Sequence, residues 1–407
     1  MTQTGLHHPR ATDPEEHDAP RRGLLLLMAV ATGLSAAGNY IAQPLLDLIS
    51  HDLQLGSVLA GLVVTASQAG YALGLLLLVP LGDVIDRRRL AVTLFLATAL
   101  FLGVSALAPS GPVLLAGTVL AALTSVGAQV VVAHAAALAT AATRGRAVAT
   151  VMSGVLLGGL LARTAAGGLS ELGGWRTAYW VLAALMAGAA ATLHRRLPYL
   201  AVTADLRYPA LLRSTLSLLR EERVLRRRSL LGALSFASYS VQLTALTFLL
   251  AGSPFNWSAP AIGLFGLFGA VGILSMTFAA RLSDSGRVHL VTGGATALLL
   301  TGWLILLAGG SSLVWLAVGV IALNIGQQAV LNSSQTLLFA LNAEARNRIN
   351  SAFSTSLFLG GALGSALASV VWAAAGWSGV CALGAALATG AVAVWARDLR
   401  SGRLGLP

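Results

Sequence analysis

The sequence predicts an all-α membrane protein of twelve transmembrane helices arranged as two pseudo-symmetric six-helix bundles. Composition is the first observation behind this. The 407 residues are 56% hydrophobic and only 10% charged, whereas a soluble domain carries about 25% charge. Spacing is the second: apolar stretches long enough to cross hydrocarbon as helix, about 17 to 25 residues, recur twelve times. The third is an internal repeat. Arg144-Gly145-Arg146 matches Arg346-Asn347-Arg348, Gly158-Gly159 matches Gly360-Gly361, and Gly174-Trp175 matches Gly376-Trp377, all at an offset of 202 residues. Three pairs in register at corresponding places predict two parallel halves, which enclose a path between them.

Along the chain, residues 1–22 are polar, with His7, His8, His17 and four acids. They are read as a disordered tail on the cytoplasmic side, with the histidines solvated rather than holding a metal. The predicted spans are 24–49, 57–81, 90–108, 112–141, 147–170, 177–193, 229–251, 260–282, 288–308, 313–341, 350–375 and 377–396. The first six make an N-terminal bundle, 23–193, and the last six a C-terminal bundle, 229–396. A linker, 194–228, joins them, and 397–407 forms a second cytoplasmic tail. Within the linker Leu212, Leu216 and Leu219 alternate with Arg213, Arg220 and Arg223. That pattern suits either a helix lying on an anionic leaflet or a solvated linker helix.

All 26 basic residues are arginine and the net charge is +11. They form no basic face for nucleic acid, since they fall between apolar spans. With the N-terminal tail inside, nearly every arginine lies on the cytoplasmic side, which places both termini there by the positive-inside rule. Arg176 is the one placed outside and Arg163 the one deep within a span, Arg281 falling at the cytoplasmic end of 260–282. Cys381 is the sole cysteine, so neither a disulfide nor a cysteine-based metal site is expected.

Between the second and third spans stands a charged turn, Gly82-Asp83-Val84-Ile85-Asp86-Arg87-Arg88-Arg89-Leu90, with a weaker copy at Ala280 to Arg287 that contains Asp284. With this turn and the repeat, the sequence resembles the major facilitator superfamily, the twelve-helix secondary transporters, from Leu24 to Ala396. The resemblance implies a cytoplasmic gate at Gly82, Asp86, Arg87 and Asp284, with Gly82 as a close-packing residue and Asp86 holding the ends of the halves together. Asn39 to Leu46 and the glycine row Gly154, Gly158, Gly159 look like the drug/proton antiporter branch. The turn is shorter than the family pattern, helix four carries no arginine, and Gly159 stands where that branch has proline.

Ionised residues at mid-membrane are costly and therefore point to function. Arg163 is the principal one, either beside the path or snorkelling to the outer headgroups. His134 lies well inside the fourth span, and is either a titrating group or a neutral hydrogen-bonded one. Asp47 is an acid near the path. Neutral polar stripes add Asn39 with Gln43, Asn324 with Gln328 and Asn332, and Gln242. Of these, Gln43 and Gln328 are expected in the cavity. The glycine row is read as a close-packing surface along which helices slide.

The expected function is secondary active transport of a small organic compound by alternating access, as efflux by proton antiport. The alternative is a nutrient or metabolite uptake permease. A membrane-embedded enzyme would need a nucleophile with its base or a metal-ligand set in the spans, and neither is visible. A monomer in the plasma membrane, driven by the proton gradient and without cofactor, is expected.

Overall fold

The computed structural model describes residues 22–140, 142–200, 208–341 and 345–400, and within them the side chains of 276–278, 280, 284 and 347 are not described. Most of the tail expected over 1–22, part of the linker and the end of the C-terminal tail lie outside these residues, as does the Asp284 side chain.

No strand occurs among the described residues, and the helices follow in order. The first group is α1 (Arg22–Ala37), α2 (Leu46–Asp52), α3 (Ser57–Leu77), α4 (Arg87–Ala106) and α5 (Gly111–Thr124). It continues with α6 (Gly127–Leu138), α7 (Arg144–Gly173) and α8 (Trp175–Arg196). Then come α9 (Tyr208–Glu221), α10 (Arg223–Ala251), α11 (Ala259–Phe265), α12 (Gly269–Leu282), α13 (Val288–Ala308), α14 (Leu313–Leu341) and α15 (Arg346–Arg400). Nine helical stretches among the described residues are long and apolar enough to cross a membrane, and Arg22–Ala37 and Ala259–Ser275 are shorter apolar helices.

Three spans expected as single helices are broken: 112–141 divides at Ser125 and Val126 into α5 and α6, and the other two contribute to the cavity described below. The stretch 24–49 divides into α1, a turn, a 3-10 segment at Gln43–Leu45 and α2. Pro44 explains much of this, because it lacks the N–H that an unbroken helix would direct to the carbonyl of Tyr40. The stretch 260–282 divides at a second 3-10 segment, Gly266–Phe268. Broken backbone is tolerated at membrane depth only where protein or a cavity covers it.

The repeat has a conformational basis. Gly174 ends α7 at φ 76°, and Gly376 interrupts α15 at φ 58°. Both need the left-handed region that glycine enters without a Cβ clash. In each case a tryptophan follows: Trp175 donates from Nε1 to Asp52 at 3.0 Å, and Trp377 donates from Nε1 to the carbonyl of Leu306 at 2.8 Å. Gly376 thus divides the 55 residues of α15 into two arms, each near the length of one crossing.

Helix pairs also recur. A methyl on Gly158 of α7 would stand 2.1 Å from the Gly33 carbonyl oxygen of α1, and one on Gly360 of α15 2.3 Å from that of Ala233 in α10. Backbones so close gain dispersion along their whole contact, the main attraction between helices where lipid removes the hydrophobic drive. One buried core runs from Met28 to Leu197 with Phe248 added, and two others take their members from Leu225 to Ala391.

α10 starts at Arg223, inside the stretch read as linker, because its arginines have partners. Arg228 is 1% exposed and donates to Thr292 Oγ1 at 3.1 Å, while Arg227 pairs with Asp398 at 2.8 Å.

Candidate functional site

The break in the first helix aims its side chains apart. Asn39 turns toward the α3 and α5 sides: its Nδ2 donates to Ser125 Oγ at 3.4 Å, and its backbone oxygen accepts from Ser67 Oγ at 3.3 Å. It therefore ties helices together instead of lining the cavity, a correction to the stripe expected with Gln43. Gln43, 2% exposed, turns toward α7.

There Arg163 donates from Nε to Gln43 Oε1 at 2.8 Å, and its guanidinium lies 5.1 Å from the centroid of the Tyr40 ring. Both contacts point inward, so the snorkelling alternative does not describe this side chain. Around them is a cavity of about 30 Å³, room for about two waters. Its polar walls are Gln43, Arg163, Gln242, Thr247 and Asn324, and its apolar walls include Leu243, Leu246, Ile262, Phe265 and Val320. The walls come from both sides of the chain's midpoint and from two of the broken helices. Backbone freed by the first break is used, since the Gln43 carbonyl accepts from Thr247 Oγ1 of α10 at 3.0 Å.

Asn324 and Tyr239 support the far wall, with Tyr239 Oη donating to Asn324 Oδ1 at 3.1 Å and Asn324 Nδ2 to the Val320 carbonyl at 2.8 Å. Asn324 takes the cavity place expected of Gln328, which lies one helical turn further along α14 and does not line it. Tyr40 and Thr247 were missed. The available signal for Tyr40 was its place between Asn39 and Gln43 in the polar stretch of the first span; nothing in the sequence singled out Thr247 among many threonines.

Asp47 does not reach the cavity. Its half-exposed carboxylate faces His51 at 3.7 Å, one turn along the short α2. His134 is buried in α6 beside Ala133, whose carbonyl accepts from Arg87 at 3.4 Å, so it belongs to the charged turn and not to the cavity.

In that turn Arg87 also donates to the Gly82 carbonyl at 2.9 Å and pairs with Asp83 at 3.1 Å. A methyl at Gly82 would meet its nearest neighbour, Leu90 Cδ2, at an ordinary 3.7 Å, so no close approach requires glycine there. Asp86, 8% exposed, is the N-cap of α4 and accepts from the Arg88 backbone N–H at 3.0 Å. Its contacts stay within the first part of the chain, whereas Ser351 Oγ donates to the Leu75 carbonyl at 2.7 Å and so joins segments 276 residues apart. Losing the cap in Asp86→Ala should cost about 1 kcal/mol, and Asp86→Asn should cost far less because asparagine caps as well as aspartate. Thermal melts of the two variants check this; equal losses would mean that the charge, not the cap, is what matters.

At the opposite end of these helices Arg176 bonds to Asp52 and donates to the Ala108 carbonyl at 3.1 Å. Hydrogen bonds from Arg176 and Trp175 hold the Asp52 carboxyl below its ordinary value. Arg176, the exception to the charge pattern, thus fastens three loop ends.

A family model described as Major Facilitator Superfamily matches residues 28–365. The chain is 45% identical over 386 residues to the "Putative uncharacterized transporter YgaY" of Escherichia coli (strain K12), covering 95% of this chain and 98% of that protein. It is 32% identical over 289 residues to the "Chloramphenicol resistance protein" of Streptomyces lividans, 69% of this chain and 71% of that one. The crystal structure of a point mutant of the nucleoside transporter NupG shares the fold at a TM-score of 0.71 and 13% identity, over 92% of this chain and 98% of that chain. The family match and the transporter-named relatives indicate a transporter rather than an enzyme, and they establish the group: the chain belongs to the Major Facilitator Superfamily of membrane transporters.

Proposed function

We propose that the protein exports a small amphipathic organic compound across the cell membrane by alternating access, in exchange for protons. The observation that carries this reading is the cavity between two broken helices, with Gln43 and Arg163 on one side and Gln242 and Asn324 on the other. Half-helices meeting at a site near the middle of the molecule are how secondary transporters expose binding groups at membrane depth. At about 30 Å³ the cavity is far below the roughly 300–1,000 Å³ of a ligand pocket. Loading therefore requires the walls to separate.

The nine long helices, the two shorter apolar ones and the second arm of α15 make twelve crossings. One core drawn from Met28–Leu197 with only Phe248 from later in the chain, and two drawn from Leu225 onward, support two six-helix halves, 23–193 and 229–396, which rock about the cavity as a monomer. Both termini are then cytoplasmic. Cysteines at Ser110 and Ser311 should react with an impermeant maleimide on intact cells, and one at Arg213 should not. Native Cys381 is buried and adds little background. Outside labelling at Arg213 would overturn the orientation.

Efflux draws support from the resistance named for the Streptomyces lividans relative. Inside-out vesicles given radiolabelled chloramphenicol or ethidium test it directly: accumulation should follow an acidic lumen and stop with nigericin. Accumulation that survives nigericin removes proton coupling. Solute entry confined to right-side-out vesicles would favour the uptake permease, the reading to which an Arg163 without a carboxylate partner lends weight.

A further inference from the structure

Arg163 stands at the cavity with most of its donors unused. Nε is occupied by Gln43 and one face of the guanidinium by Tyr40, but Nη1 and Nη2 have no hydrogen-bond partner, and no carboxylate pairs with the group among the described residues. None of the side chains lining the cavity is acidic. The space beside Nη1 is kept clear by glycines, since methyls on Gly266 and Gly269 would lie 3.9 and 3.8 Å from it. Gln43 Nε2, buried in the same wall, is a further donor without a partner. Against these donors stands one unused buried acceptor on the cavity wall, Gln242 Oε1.

A surplus of donors around an uncompensated positive charge selects a negative group with several lone pairs. Guanidinium presents its two terminal nitrogens in the parallel geometry that a carboxylate accepts. The remaining walls, Leu243, Leu246, Ile262, Phe265 and Val320, are apolar. They offer nothing to a hydrated inorganic ion and suit a hydrocarbon or aromatic body. A cationic compound would instead have to enter beside the Arg163 charge with no carboxylate to offset it.

We propose that the transported compound is an amphipathic organic anion whose carboxylate binds Nη1 and Nη2 of Arg163, with its apolar body against Leu246, Ile262, Phe265 and Val320. This rests on the transport reading above and names its substrate class. Gln43 acts on the anion twice in this arrangement: its oxygen fixes the guanidinium by accepting from Nε, and its amide nitrogen adds a donor beside it. Binding also removes the unpaired charge, so the loaded cavity closes more readily than the empty one.

The test uses the purified full chain in detergent, melted with a series of arylalkanoates headed by phenylbutyrate, each set against its primary amide, and with tetraphenylphosphonium as the cation. Acids should raise the melting temperature with apparent affinities about tenfold or more above those of their amides, a difference of about 1.4 kcal/mol. The preference should vanish in Arg163→Gln and survive in part in Arg163→Lys. An Arg163 that only braces the broken helix would lower the melting temperature of the variants without creating any acid preference in the wild type. The wild-type comparison therefore decides even if the glutamine variant fails to fold. Equal binding of acids and amides, tighter binding of tetraphenylphosphonium, a preference that persists in Arg163→Gln, or no acid-specific shift anywhere in the series would overturn the proposal. A shift reproduced by chloride alone would identify an inorganic anion and overturn the organic part. Failure here can be told from failure of the transport reading: ethidium flux in vesicles without acid binding leaves transport standing, and acid binding without flux of any labelled solute leaves the site standing.

Discussion

Arg163→Ala is expected to abolish transport while leaving a folded, membrane-inserted protein. The truncation removes the cation, the bond to Gln43 and the contact with Tyr40 together. Its structural cost is Gln43 Oε1 losing its partner, about 1–3 kcal/mol for a buried acceptor, together with the lost cation–π contact to Tyr40, about 0.5–2 kcal/mol. Its functional cost is separate, because truncating one member of a buried charge pair typically removes about 2–5 kcal/mol of binding. Flux at low substrate should fall by roughly two orders of magnitude or more. Arg163→Lys should recover only part, since an ammonium lacks the fork that engages Gln43 and a ligand at once. Solute flux in proteoliposomes, with melting temperature measured alongside, separates the two costs. Wild-type flux in Arg163→Ala would exclude Arg163 from the site.

Most helices were legible because apolar length is a direct physical requirement of crossing hydrocarbon. The breaks were not, because hydropathy averages over a window and is blind to backbone direction. Residues 24–49 stay apolar on average through the turn after α1 despite Asn39 and Gln43, and Gly38 and Pro44 are the backbone signals of the interruption. The consequence fell on the site, since a continuous helix would put Asn39 and Gln43 on one face, whereas the break sends Asn39 to Ser67 and Ser125. The start of α10 was hidden for another reason. Arginines read as part of the linker are carried into the protein by Thr292 and Asp398, partners 64 and 171 residues away that no local pattern reveals.

Arg163 was legible from its cost alone, since a membrane-depth charge is seldom retained without use. Its neighbours followed unevenly: polar spacing on α14 identified the correct face, but rotation and rise along the helix decided for Asn324 over Gln328. The role of Asp47 was not legible, because an acid near a span end is as well served by water and His51 as by a transport path.

The glycine row carries the second large effect. Gly158→Val should destabilise the protein by about 3 kcal/mol, the upper part of the range for overpacking, and reduce the folded yield sharply. A Cβ there would lie 2.1 Å from the Gly33 carbonyl oxygen, and one at Gly154 would lie 1.9 Å from that of Ala29. These are backbone atoms and cannot rotate away, so α1 and α7 would have to separate along the whole contact, giving up dispersion that falls steeply with distance. Gly188→Val is the control, because nothing lies within 4 Å of the added Cβ. Melting temperatures compare the two; similar values for both variants would mean that α1 and α7 do not interlock. An interlock of backbones opposes the sliding expected of this row. It also bears on the site, because Gln43 follows α1 and Arg163 sits on α7. Held by glycine contacts on the helices that carry them, the two are expected to remain a unit when, in the proposed alternating access, the opposite wall with Gln242 and Asn324 moves against them.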